Sequence, residues 1–178
     1  LLAEIGMQLK VYSDAEFLLE SCVELYPDNE RAALAYQNVL SKLGKFPDAV
    51  KVAKARLALN PESFAIKTSL AHALVGVGQL DEAISLYKEV LSQNADRPKV
   101  WVALGHALKA KGDTTDAVNA YEKAVEYAND YGDAYWSLAN TKTYKFSDNM
   151  LSQMCKQVEA SSIKLDDKIH ICFALGKG

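Results

Sequence analysis

The feature that most constrains this chain is an internal period. Gly44, Gly78 and Gly112 are spaced 34 residues apart, and Ala15, Ala49, Ala83 and Ala117 form a second series with the same step. Two independent series in one register mean that a single supersecondary unit is reiterated, and a unit of that size cannot bury its apolar face alone. Such a chain folds by stacking neighbours, each unit touching only the next. With 49% hydrophobic and 24% charged residues, the 178-residue chain has enough apolar side chains for a shared core, and disorder is excluded.

The residue types at the repeated positions specify helices. A Leu-Gly or Leu-Ala step on a first helix lets a second helix approach closely, and the alanine series does the same from the other side. An aromatic four residues after that alanine, as at Tyr87 and Tyr121, lies on the same helix face and fills the space between hairpins. Gly78 is expected to end a first helix in a left-handed conformation, with Leu80 to Glu82 turning the chain into the next, and Gly112-Asp113 repeats the device. Ser13 with Glu16 has the spacing of a capping box at the start of a second helix, and Pro47-Asp48 puts proline in a first turn, where its missing N–H costs little. No strand signature competes, so the fold class is all-α.

In this register Trp101, Leu104, Gly105 and Leu108, followed by Ala117, Tyr121 and Ala124, resemble the tetratricopeptide-repeat signature. The preceding unit keeps Leu70, Ala71, Leu74, Ala83, Tyr87 and Val90, and Pro27 and Pro61 match the closing proline. The resemblance implies a right-handed superhelical solenoid of antiparallel helix hairpins. Residues 1–131 are assigned four units, the first truncated; 132–164 a degenerate fifth; and 165–178 the first helix of a further, truncated unit. In the fifth, Lys142 replaces the apolar Leu40, Leu74 and Leu108, Phe146 replaces the glycine and Leu151 the alanine, so looser packing is expected. Phe173, Ala174, Leu175 and Gly176 restart the pattern three residues out of step. Beginning and ending inside a hairpin, the chain is expected to be a portion of a longer protein.

In this family the first helices line the concave groove. The residue after the Leu-Gly pair gives a ladder of Glu4, Asn38, His72, His106 and Asn140, each 34 residues from the next and every rung polar. Side chains that both donate and accept suit the backbone amides of an extended peptide, against the alternative of a solvated polar stripe. Arg31, Ser69, Lys99, Lys109, Trp136 and Tyr144 flank the ladder, together with Lys42, Ala103, Asp133 and Ser137; Trp136 is the candidate anchor. The resemblance also brings a clamp for a terminal carboxylate, but Asn38 alone fits it, because Leu34 and Ala103 replace its basic residues.

Other chemistries find little support. His72 and His106 lack a further His or Cys one turn away, so no metal is expected. His170 stands apart, and Cys22, Cys155 and Cys172 form neither a CxxC pair nor a disulfide framework. Glu82 with Asp81, and Asp166 with Asp167, stand at helix starts, where acids favour the macrodipole. Nucleophile-elbow, zincin, dinucleotide and phosphate-loop motifs are missing, so no catalytic residue and no cofactor is expected in this segment. A net charge of −3 lacks the basic footprint of a nucleic-acid binder, although Asp14 to Glu30 holds six acids and Lys42 to Arg56 five bases. No run of about 18 apolar residues suggests a membrane span, and a cytoplasmic location is expected.

A narrower resemblance lies in Leu138 to Asp148 and His170 to Lys177, which are similar to segments of bacterial proteins that join such repeats to a sulfotransferase domain. It implies a nucleotide sulfate donor bound beyond Gly178, with the repeats positioning an acceptor. Three functions follow as expectations: a scaffold for a protein or peptide, the accessory region of a sulfotransferase, or a structural module that associates end to end.

Overall fold

The structure is a computed structural model that describes residue 6 and residues 8–177. Among the described residues there are helices and no strand. In chain order they are α1 (Tyr12–Leu25), α2 (Glu30–Lys42), α3 (Phe46–Leu59), α4 (Phe64–Gly76), α5 (Leu80–Gln93), α6 (Pro98–Lys111), α7 (Thr114–Tyr127), α8 (Gly132–Ala139), α9 (Asp148–Glu159) and α10 (Leu165–Leu175). They form two compact units, Leu1–Leu86 and Tyr87–Gly178, with the division inside α5.

In the first unit α1 packs on α2, α2 on α3 and α3 on α4, with α2 also touching α4. Its core holds Ala15, Leu19, Tyr36, Val39, Leu40, Ala49 and Ala73. In the second, α6 packs on α7, α7 on α8, and α8 on α10, while α9 packs on α10. Connections of a few residues make successive helices antiparallel.

One chain-reversal device recurs in the register of the sequence. The N–H groups of Lys45, Gln79 and Asp113 donate to the carbonyls of Leu40, Leu74 and Leu108 at 2.8, 2.9 and 2.9 Å. Gly44, Gly78 and Gly112 hold the intervening position at φ of +73°, +79° and +102°, which strains any residue with a Cβ. The three leucines are buried, so the turn and the core are fixed together.

Two local expectations are corrected. α1 begins at Tyr12 with Val11 as its uncapped N-terminal neighbour, so Ser13 and Glu16 form no capping box. Glu16 is held instead by Lys45 at 2.7 and 2.8 Å, a charge-assisted bond that outweighs reaching back to a backbone N–H. Leu80 to Glu82 are already the first turn of α5, so the reversal needs only Gly78 and Gln79. Pro47 stands in the first turn of α3, as its ring requires.

The helix–helix spacing rests on matched bulk. A Cβ on Gly105 would lie 2.3 Å from the Tyr121 ring, so the aromatic occupies space that only glycine leaves. At the equivalent positions of the first unit the sizes are exchanged, with Gln37 in the small position and Ala53 in the aromatic one, both buried.

α8 departs from its counterparts in length, with 8 residues against 13 in α2 and α4 and 14 in α6. Lys142 is exposed and cannot supply the buried leucine of the reversal, and Phe146 cannot supply the left-handed glycine. The Trp136 carbonyl accepts from both the N–H and the Nδ2 of Asn140, at 3.0 and 2.9 Å, whereas the Ser137 carbonyl accepts from Thr141 Oγ1 at 3.1 Å while the Thr141 N–H turns to Leu138 at 2.9 Å, so the helical ladder stops there. The chain then crosses to α9, where Ser147 Oγ accepts from the Met150 N–H at 3.3 Å and serves as the N-cap.

Candidate functional site

In the first unit Arg31, Asn38 and His72 are exposed, and Ser69 is half-buried. Arg31 and Asn38 lie on α2, and Ser69 and His72 on α4. Partial burial pushes the His72 imidazole below its usual pKa, and the nearby Lys42 ammonium pushes it further. Glu4 lies outside the described residues.

The second unit brings more together. His106 on α6 has its Nε2 3.1 Å from Ser137 Oγ on α8, and its ring meets Tyr121 edge-on with centroids 5.5 Å apart. Its pKa is lowered by burial and by Lys109, with Asp133 opposing, so the ring is neutral at neutral pH. Lys109 Nζ donates to the Asn140 carbonyl at 3.1 Å, and Lys177 Nζ donates to Asn140 Oδ1. Trp136 remains 42% exposed and stands against the His170 ring, centroids 6.0 Å apart. Lys99 is exposed at the start of α6 and borders a hollow. Tyr144 lies elsewhere, donating to Glu122 on α7 at 3.0 Å; burial and that carboxylate hold its phenol well above the ordinary range.

His170, which the sequence left apart, belongs to this group. Its Nδ1 lies 2.7 Å from Asp133 Oδ1, and Tyr131 OH donates to Asp133 Oδ2 at 3.1 Å. The hollow beside them has a volume of about 480 Å³ and is lined by Lys99, Tyr131, Asp133, Lys164, Asp166, Asp167, Ile169 and His170. Asp167 does more than favour a helix start, since its Oδ1 accepts from the Gly132 N–H at 2.9 Å. The signal for His170 was present in the three-residue slip. Lys99, Asp133 and His170 each precede the small residue of the repeat pattern, Gly105, Ala139 or Gly176, by six positions.

This arrangement offers an apolar ring, ordered donors and acceptors, and separate basic and acidic groups. Among the described residues no group of three or more His, Cys, Asp or Glu side chains is placed to hold a metal ion. It suits recognition of a polar chain. No described helix is long and apolar enough to cross a membrane.

Among solved structures, a thermophilic TPR protein of Thermus thermophilus is 21% identical and superposes with a TM-score of 0.74, covering 97% of this chain and 96% of that one. The crystal structure of MamA is 15% identical with a TM-score of 0.66, covering 99% and 92%. MamA from residue 41 onward of Desulfovibrio magneticus is 15% identical with a TM-score of 0.66, covering 99% and 88%. These likenesses establish the fold. No curated protein matches the chain. A family model described as a tetratricopeptide repeat matches residues 40–111 and 74–141, together more than half of the sequence. With its glycine-closed reversals and its Gly105–Tyr121 packing, the chain therefore belongs to the tetratricopeptide-repeat family.

Proposed function

We propose that this chain is a protein-interaction scaffold that holds an extended protein or peptide segment along the first-helix faces of its repeats. Tetratricopeptide-repeat proteins generally mediate protein–protein interaction. The observation that carries the reading is two ordered pairs on α6, α8 and α10, His106 with Ser137 and His170 with Asp133, the second of which borders an open hollow. Preorganised donors and acceptors lose little freedom when a segment docks. Peptides that bind the unmodified chain should bind the His72→Ala/His106→Ala variant about thirtyfold more weakly, since each of the two lost polar contacts is worth about 1 kcal/mol. Unchanged affinity in a peptide titration removes the ladder from the binding surface.

The sequence of 138–148 and 170–177 favours a second reading, in which the repeats position an acceptor for a sulfotransferase domain. Ser147 is accounted for by its capping role, so the reading rests on the resemblance alone. Translating the gene downstream of Gly178 tests it, and absence of a donor-binding domain there ends it. End-to-end self-association in the cytoplasm is a third reading, tested by sedimentation across concentration and salt.

A further inference from the structure

We propose that the outer face of α10, carrying Leu165, Ile169 and Phe173, docks antiparallel against the outer face of α1 in a second copy of this chain. The proposal rests on the self-association reading above and names the two faces and their direction.

α10 is apolar on opposite sides. Ile171 and Ala174 are fully buried toward its neighbours. Leu165, Ile169 and Phe173 recur every fourth residue on the side turned away, and they are 71, 47 and 62% exposed. Apolar side chains on opposite sides of a helix mark an element that is covered on both. The seam of first helices shows what kind of element does the covering, since α8 packs on α6 and α10 on α8. Ile169 and Phe173 follow Gly132 and Trp136 of α8 by 37 residues, and α10 lies over that earlier row, with the Asp167 backbone set against Gly132. Ile169 fills the place that the glycine leaves open. A helix over α10 must therefore supply the small residue itself, between large ones.

α1 has that pattern opposite its buried Ala15 and Leu19. Phe17, Ser21 and Leu25 recur every fourth residue, and both large side chains are exposed. The Ser21 hydroxyl already donates to the Phe17 carbonyl at 3.2 Å, so covering it strands no donor. The two rows have the same length, about 12 Å at about 1.5 Å per residue.

Charge fixes the direction. α1 exposes Asp14, Glu20 and Glu24 around its row and contains no Lys or Arg. The row of α10 is bordered by Lys164 and Lys168 on one side, and on the other by Asp166 and by Lys177 of the following turn. Laid antiparallel with Ile169 on Ser21, the helices set Lys168 beside Glu20 and Glu24 and bring Lys177 toward Asp14. A parallel arrangement would instead turn Asp166 to Glu20, and an antiparallel pair of α10 helices would set each lysine border against its own copy.

Sedimentation equilibrium of the 178-residue chain is the test. One helix pair is smaller than a standard interface, so association is expected at about 10–100 μM. Phe17→Glu and Phe173→Glu should each weaken it about thirtyfold or more; both rings are exposed, so circular dichroism should show an unchanged fold. Mixed in equal amounts, the two variants should form a one-to-one dimer and nothing larger, because each supplies the face that the other has lost. Lys168→Glu should weaken association about tenfold, and Glu24→Lys in the same chain should restore it. Association of Phe17→Glu as strong as that of the unmodified chain, or an equal mixture that stays monomeric, would overturn the contact between α10 and α1 and leave self-association standing. An unmodified chain that stays monomeric up to about 1 mM would overturn both.

Discussion

Gln37 shows how a repeat position can be filled against type. Its counterparts are Ala71 and Gly105, yet it is 1% exposed, and neither amide atom has a hydrogen-bond partner. A buried polar group without a partner costs about 1–3 kcal/mol, so Gln37→Met, which keeps length and discards the amide, should stabilise the chain by about 1 kcal/mol. The midpoint of urea unfolding is the measurement, and a fall in it would mean that the amide is satisfied. Gly105→Ala should act in the opposite sense, costing about 1–3 kcal/mol because its new methyl meets the Tyr121 ring. Shortening that ring in the double variant Gly105→Ala/Tyr121→Leu should recover part of the loss in the same experiment.

At the scale of elements, α8 and α10 depend on one close approach. A Cβ on Gly132 would lie 2.4 Å from the Asp167 backbone oxygen, and backbone cannot move aside as a side chain can. Gly132→Ala should therefore displace α10, cost about 2 kcal/mol and loosen the His170–Asp133 contact, seen as faster amide exchange along α10. Normal exchange there would refute that dependence. Most of the element structure was legible in sequence because its signals are local: Gly44, Gly78 and Gly112 each end a helix, and Ser147 caps another. The early end of α8 was legible only as a weakness at Lys142 and Phe146, since spacing does not reveal that the Thr141 hydroxyl takes the Ser137 carbonyl in place of the Thr141 N–H. His170 was missed because it follows Asp133 by 37 residues instead of 34, and a strict period passes over it. Tyr144 was placed with the groove by spacing along a helix that stops at Ala139, so its side chain turns to Glu122.

For the molecule as a whole, acid should act through the two ladder histidines before it reaches most carboxylates. His72 and His106 both have lowered folded-state pKa values, from burial first and from Lys42 and Lys109 second. The unfolded chain then binds more protons than the folded one below the ordinary imidazole value of about 6.5, so their contribution is complete above that pH and declines as pH falls toward the folded values. Denaturation followed from pH 7.5 to 5 should show stability falling with acid, and His72→Gln/His106→Gln should flatten that slope; an unaltered slope would remove the histidines as its cause. The exchange of bulk between Gln37 with Ala53 and Gly105 with Tyr121 also bears on how such an array diverges. Copying one residue from a sister repeat overfills or hollows the seam, so paired substitutions are the accessible step, and grafts between these repeats should succeed only when both partners travel together.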